Sequence, residues 1–338
     1  MKLIIPMAGR GSRLRPHTLT VPKPLIKVAG KSILRQLILD VSKLFEESIE
    51  EIAFVLGDEK FFGEDIVLEL KKLAKKHNAK ASIYRQLKPL GTGHAIMCAE
   101  KSLNGQAMVI YPDTLIKANV SFDKNADAVI WTKEVSNPEA YGVVKLNSEN
   151  NVEELIEKPK TKVSNLAVIG LYYFKDISQL KNQLQKVIDE KIIRSGEYQI
   201  NDGLLKMMDN GQIFKVAKVS EWLDCGNVKS SINANKKMLE FHYRDKNDLV
   251  SKDMKLINSK IIHPVFIDKN VTIENSTVGP HVSVYKNSQI IDSKISNSIV
   301  GESTVLKKAT ITGSMIGNNC KYSGDYKSIS IGDFSELI

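Results

Sequence analysis

Cysteine is scarce in this chain of 338 residues, with three in all: Cys98, Cys225 and Cys320. They are odd in number, far apart and in no metal-ligand spacing. That excludes a disulfide framework and a thiolate metal cluster, and leaves free thiols in a reducing cytoplasm. Long apolar runs are missing too. None approaches the roughly 20 residues of a membrane span, so no bilayer anchor is expected. The N-terminal run Leu3-Ile4-Ile5 is too short for a signal peptide and passes straight into a polar loop. Aromatic residues make up only 7%. The net charge of +9 could suit nucleic acid, yet the lysines are spread through helical stretches such as Leu70 to Lys76, with no aromatic-basic stripe. A solvated basic surface with a bias toward small anions is the reading that remains. Two familiar glycine loops are absent as well. No GK[ST] ending marks a P-loop, and no third glycine opens a helix as in the dinucleotide fingerprint.

What is present begins at the N-terminus. A buried first strand, Leu3 to Pro6, leads into Met7-Ala8-Gly9-Arg10-Gly11-Ser12-Arg13-Leu14-Arg15-Pro16 and then Pro22-Lys23-Pro24-Leu25. Small residues at Ala8, Gly9, Gly11 and Ser12 let the backbone turn sharply and bring N–H groups close to phosphate oxygens. Arg13 and Lys23 add the fixed positive charge a polyphosphate needs.

The length suffices for two domains and a well-buried core. Up to about residue 245, strand-like runs (Ile52 to Leu56, Ala81 to Tyr84, Ala107 to Ile110) alternate with helical spacing (Ser32 to Leu44, Ile66 to Lys76, Thr92 to Lys101). This alternation predicts an α/β sandwich with a largely parallel sheet, whose ligands sit at the carboxyl ends of the strands. Lys236 to Lys255 is charged and reads as a helix end followed by a linker. Beyond it apolar residues recur about every six positions: Ile261, Ile267, Ile273, Val278, Val284 and Ile290, continuing near Val300 and Ile316. A six-residue repeat with one inward aliphatic per step predicts a left-handed parallel β-helix of about four or five coils. The expected division is therefore 1–245 and 255–338, with Tyr322 to Ile338 as a cap. Val265, Phe266, Val282 and Tyr285 have no obvious inward place in the repeat and are expected to face a partner.

The opening loop, taken with Pro-Lys-Pro, resembles the signature of the sugar-1-phosphate nucleotidyltransferases, and the likeness runs in order over roughly residues 1 to 230. It implies a Rossmann-like nucleotidyltransferase domain with a mostly parallel mixed sheet. Gln86, ahead of Pro89-Leu90-Gly91-Thr92-Gly93-His94-Ala95, stands where the family pairs a Gln with uracil or thymine, while Gly91 packs on the base and Thr92 follows. The Gln amide supplies one donor and one acceptor, which suits the adjacent O4 and N3–H of those rings. This string is similar to the uridylyltransferase branch in particular. His94 is read as structural. Asp113, and Asp224 in Trp222-Leu223-Asp224-Cys225-Gly226, fall where the family holds Mg2+, whose preference is for few hard oxygen ligands completed by phosphate and water. Gly142, Glu157, Lys158 and Val168 fall in the sugar-phosphate segments, and Val168 tilts the expected substrate toward glucose 1-phosphate. Two departures stand out: Pro112 where the family usually has Gly, and Asn227 where it often has Thr.

The resemblance thus implies in-line attack by a sugar phosphate on the α-phosphorus of dTTP or UTP, with Arg13, Lys23 and Lys158 neutralising charge. The nucleophile is already anionic, so no general base is required. Homo-oligomerisation or packing on the catalytic domain is expected of the tail. Two other readings stay open. One is acyl transfer by the tail, with His263 and His281 as isolated candidates. The other is a non-catalytic sugar-nucleotide sensor.

Overall fold

The computed structural model describes residues 1–45, 47–118, 122–324 and 328–337. Two compact units divide it: Met1–Gly9 with Leu37–Trp222, and Arg10–Gln36 with Leu223–Ile338.

The first unit is built on a nine-stranded mixed sheet. Its strands are β1 (Lys2–Pro6), β2 (Glu51–Leu56), β3 (Lys80–Arg85), β4 (Ala107–Ile110), β5 (Ala128–Glu134), β6 (Gly142–Leu146), β7 (Val152–Glu157), β8 (Leu166–Phe174) and β9 (Phe214–Lys218). The order is β7-β6-β8-β4-β1-β2-β3, with β5 pairing β8 and β9. The neighbours β4, β1, β2 and β3 run parallel, whereas β8 runs antiparallel to β4. β2, with the sequence EIAFVL, is buried at every position. A parallel strand covered on both faces requires such a continuous apolar run.

Helices α1 (Ile33–Ser42), α2 (Glu64–Lys75), α3 (Thr92–Met97), α4 (Ser178–Asp189) and α5 (Ile200–Asp209) accompany the strands. α2 buries Ile66, Val67, Leu70, Leu73 and Ala74 at helical spacing, with acids in its first turn and lysines in its last. Ile96, Leu180, Leu184, Leu204 and Met207 from α3, α4 and α5 share one core cluster with Ile4, Val55 and Val109. The strands and first two helices lie within two residues of expectation. α3 is shorter. It stops at Met97, and a separate 3-10 turn, Glu100–Ser102, follows where Ser102 turns its hydroxyl to Glu51 Oε1 at 2.9 Å.

In the second unit, helix α6 (Val228–Arg244) precedes a left-handed parallel β-helix. Lys255 pairs with Thr272, Thr272 with Gln289, Gln289 with Val305 and Val305 with Lys321, so a coil takes 17 residues and later 16. Three short strands fill each coil. Ile273, Ile290 and Leu306 stack on one face, Val278, Ile295 and Ile311 on the next, and Ile267, Val284, Val300 and Ile316 on the third. Asn275 and Asp292 turn the corners at positive φ, which Asn and Asp tolerate best, and their side chains bond from coil to coil at 3.3 Å. Pairing continues through Lys321–Gly324 to Glu336–Leu337, so the expected cap still belongs to the stack; residues 325–327 and 338 of it lie outside the described residues.

Val265 and Val282 are corrected by the structure. They are 3% and 0% exposed inside the solenoid core, because Val265-Phe266-Ile267 and Val282-Ser283-Val284 send both outer residues inward by the two-residue strand period. Phe266 therefore points out, and its ring lies against Gly30. The Tyr285 hydroxyl accepts from Gly30 N at 3.3 Å. What these two aromatics face is the 10–36 segment of the same chain.

That segment has further partners in its unit. His17 Nε2 meets Ser330 Oγ at 3.0 Å, Thr20 donates to Asp333 at 2.6 Å, and Ala29 N donates to Asn235 at 3.0 Å. Lys27 pairs with Glu302.

Candidate active site

The parallel strands β1, β2, β3 and β4 deliver their carboxyl ends to one edge of the sheet. Met7, Ala8 and Gly9 follow β1, and Met7 N bonds Val55 O at 2.8 Å. Gln86 follows β3, its N–H fixed on Leu56 O at 2.8 Å, and its side chain is 9% exposed. Asp113 comes three residues after β4. Since β8 is antiparallel to β4, with Leu171 opposite Ile110, its preceding residues Val168 and Gly170 reach the same edge. Val168 pairs with Thr132 there.

Pro112 has a local use. Tyr111 N donates to Gly170 O at 3.0 Å and Asp113 N donates to Tyr111 O at 2.9 Å, closing a three-residue turn centred on Pro112. The fixed φ of proline suits that centre, and its missing N–H leaves no bond unmade. Burial pushes the hydroxyls of Tyr111, which begins this turn, and of Tyr172, whose ring meets it edge-on at 6.3 Å, well above the usual phenol range, so both stay protonated.

Gln86 and the glycine string form one assembly. Gln86 Nε2 donates to Gly91 O at 3.0 Å and contacts His94 Nδ1 at 3.1 Å. Gly91 has φ +110, and a Cβ on it would lie 2.5 Å from Tyr198 O, so a side chain is barred twice over. The Thr92 hydroxyl accepts from Ile200 N at 3.0 Å and thereby serves the start of α5. Tyr198 is thus a part of this assembly that the motifs did not single out, whereas His94 makes a structural hydrogen bond, as the motif led us to expect. The sequence signal for Tyr198 is weak because it lies over a hundred residues downstream.

At the sugar-phosphate segments, Glu157 pairs with Gly142 across β7 and β6, and its Oε2 lies 2.9 Å from where a Gly142 Cβ would be. Lys158, exposed and at φ +45, follows directly, with its N–H on Tyr141 O. The first unit therefore gathers Ala8, Gly9, Gln86, Gly91, Thr92, Asp113, Gly142, Glu157, Lys158 and Val168.

The second unit holds the rest. Gly11 sits at φ +62, and a Cβ on it would be 2.8 Å from Lys23 Cβ. Thr18 Oγ1 ties the same turn by donating to Gly11 O at 2.8 Å. The buried stem of Lys23 is so held against the loop, while Ser12 and Arg13 are exposed on the 3-10 turn Ser12–Leu14, anchored by fully buried Leu14. Asp224 is exposed, and its Oδ1 accepts from Gly226 N at 2.8 Å. Asn227 caps α6 in a reciprocal box with Ser230, at 2.9 and 3.1 Å, which gives this departure a reason. The two tail histidines are in structural use: His263 stacks on Tyr243 at 5.7 Å, and His281 lies 3.2 Å from Glu240.

Among the described residues no three His, Cys, Asp or Glu side chains converge as a metal cage, and no helix is long and apolar enough to cross a membrane.

The comparisons with known proteins bear on the family and the fold. Over its whole length the chain is 30% identical to 99% of the low-salt glycan biosynthesis nucleotidyltransferase Agl11 of Haloferax volcanii. Over 95% of its length it is 31% identical to 79% of the bifunctional protein GlmU of Methanococcus maripaludis. A glucose-1-phosphate thymidylyltransferase of Streptomyces antibioticus is 28% identical over 94% of this chain and 92% of its own. In fold, 71% of the chain superposes on 94% of a UDP-glucose pyrophosphorylase from Acinetobacter baumanii, with a TM-score of 0.56 at 22% identity. Residues 2–240 match the family model described as nucleotidyl transferase. A match of that extent means that the chain belongs to the nucleotidyl transferase family and is a nucleotidyltransferase.

Proposed function

We propose that this enzyme transfers a nucleotidyl group from dTTP or UTP to a sugar 1-phosphate, glucose 1-phosphate being the best fit, with Mg2+ as cofactor and pyrophosphate as second product. The observation that carries the reading is the row Gln86, Asp113, Val168 and Glu157–Gly142 along one sheet edge, which provides for a base, a metal and a sugar in sequence. The names of the relatives support the sugar-phosphate class.

Family members typically use a divalent metal. Asp113 and Asp224 would hold it, and two carboxylates without a full protein cage suit Mg2+, which takes phosphates and waters for its remaining positions. When bound, it would neutralise charge on the triphosphate. The chain's own residues do the positioning. A phosphate oxygen of the sugar 1-phosphate forms the new bond to the α-phosphorus as the α–β bridging bond breaks, and the leaving pyrophosphate takes the electron pair. Two polyanions must approach, so catalysis consists largely of orientation and charge neutralisation. Arg13 faces the leaving pyrophosphate, Lys23 the α-phosphate and Lys158 the incoming phosphate. Ala8, Gly9, Gly11 and Ser12 supply the phosphate cradle, with Gln86, Gly91 and Thr92 around the base. Gly142, Glu157 and Val168 receive the sugar.

We assign catalysis to residues 1–245 and assembly into a homo-oligomer to 255–338, in a cytoplasmic setting without nucleic acid or membrane. Turnover with a panel of triphosphates tests the base assignment. UTP or dTTP should exceed ATP and GTP by at least about a hundredfold, because a mismatched hydrogen bond in a buried site costs a few kcal/mol. Equal use of a purine triphosphate contradicts it.

A further inference from the structure

We infer that His94 is a specificity-positioning residue, which locks the side-chain amide of Gln86 in one orientation so that only its oxygen is offered to the nucleotide base. The inference rests on Gln86 being the base reader and adds to it the group that decides which pyrimidine is read.

An amide has two N–H donors, and here both have takers inside the chain: Gly91 O at 3.0 Å and His94 Nδ1 at 3.1 Å. The donor that the sequence offers to the base O4 is therefore already committed, and Oε1 is what the amide has left. Turning the amide over would set Oε1 against the Gly91 carbonyl and against the lone pair of Nδ1. Two acceptor–acceptor contacts at about 3 Å are strongly unfavourable, so the alternative orientation is suppressed.

The ring of His94 is prepared for this role. Burial lowers its pKa below the ordinary imidazole range, which keeps it neutral near pH 7. The Cys98 Sγ lies 3.9 Å from the same Nδ1, and burial raises the thiol pKa, keeping it an S–H donor. With two donors directed at Nδ1, the ring proton belongs on Nε2 and Nδ1 is an acceptor. The His94 side chain is carried by α3, whose start is pinned by Gly93 N on Tyr198 O at 2.8 Å.

The chemical consequence concerns ring position 3. Uracil and thymine carry N3–H, which Oε1 accepts. Cytosine carries a bare N3 lone pair there, which an inverted amide would satisfy and the locked one repels. His94 thus removes the orientation that would admit CTP.

The test is the ratio of kcat/KM for UTP over CTP in wild type, His94→Phe and His94→Asn. Phenylalanine keeps the ring and deletes the acceptor, whereas the asparagine amide oxygen stands close to the place of Nδ1. His94→Phe should lower the ratio by about tenfold or more, with CTP gaining in KM, and His94→Asn should restore most of it. A folded His94→Phe enzyme with an unchanged ratio, or two variants that behave alike, overturns the inference. Gln86→Ala separates the layers. If it abolishes the preference while His94→Phe does not, the inference alone fails; if it leaves the preference intact, the base-reader assignment fails and takes the inference with it. Should His94→Phe not fold, glutamine-labelled wild-type enzyme decides by NMR. The Gln86 side-chain protons should both exchange slowly, and exchange as fast as in exposed glutamines overturns the lock.

Discussion

Asp224 keeps one carboxylate oxygen on the N–H of Gly226 and is otherwise exposed, so its charge has no structural task that an amide could not fill. Asp224→Asn retains the accepting oxygen and loses only the charge offered to a metal. Its melting temperature should stay within about 2 °C of wild type, while kcat falls on the order of a hundredfold or more. Full turnover at saturating Mg2+ would sink the ligand assignment. At this scale the sequence was readable where a residue type has one chemical use. Arg13, Lys23, Asp113 and Glu157 stand in motifs whose order alone suggests their roles. It was not readable where a side chain is shared between tasks. The Gln86 amide looks like a donor–acceptor pair in the sequence, and only the distances to Gly91 O and His94 Nδ1 show the donor to be committed.

Among the elements, the loop after β1 carries the most information and conceals the most. Gly11 is legible as a glycine that turns the chain. That its missing side chain leaves room for the Lys23 stem is not, because eleven residues lie between them. The same holds for Phe266 and Tyr285, whose lack of an inward place in the repeat is evident while the Gly30 they cover is not. His17 offers a handle on this packing. Burial lowers its pKa to about 4, although Asp333 draws it upward. The unfolded chain therefore binds a proton that the folded one refuses between about pH 6.5 and 4. The stability that the neutral ring contributes is whole above pH 6.5 and is lost as the pH falls through that window. By pH 5 the loss should be about 2 kcal/mol, and His17→Gln, which still reaches Ser330 without titrating, should remove that part of the slope. Denaturant midpoints at pH 7 and 5 check it; parallel losses in both proteins would exclude His17 as the source.

At the scale of the molecule, the sequence shows a strand–helix alternation followed by a six-residue repeat, and the structure has a mixed α/β sheet followed by a parallel β-helix. It cannot show that residues 10–36, which bear Arg13 and Lys23, share a compact unit with the β-helix, since the bonds to Asn235, Glu302, Ser330 and Asp333 span hundreds of positions. Removing everything from Lys255 onward should therefore do more than change the mass in solution. It strips Glu302, Ser330 and Asp333 from the loop while Asn235 remains, so the truncated protein should expose apolar surface, scatter light and lose turnover. A soluble truncation with wild-type constants would show that the loop holds itself. The central claim is nucleotidyl transfer to a sugar phosphate, and pyrophosphate release with UTP or dTTP in the presence and absence of glucose 1-phosphate and Mg2+ tests it most directly. The account predicts release only when all three are present, in equal amount to a nucleoside-diphosphate glucose. Release without the sugar phosphate, or none with any sugar 1-phosphate, would contradict it.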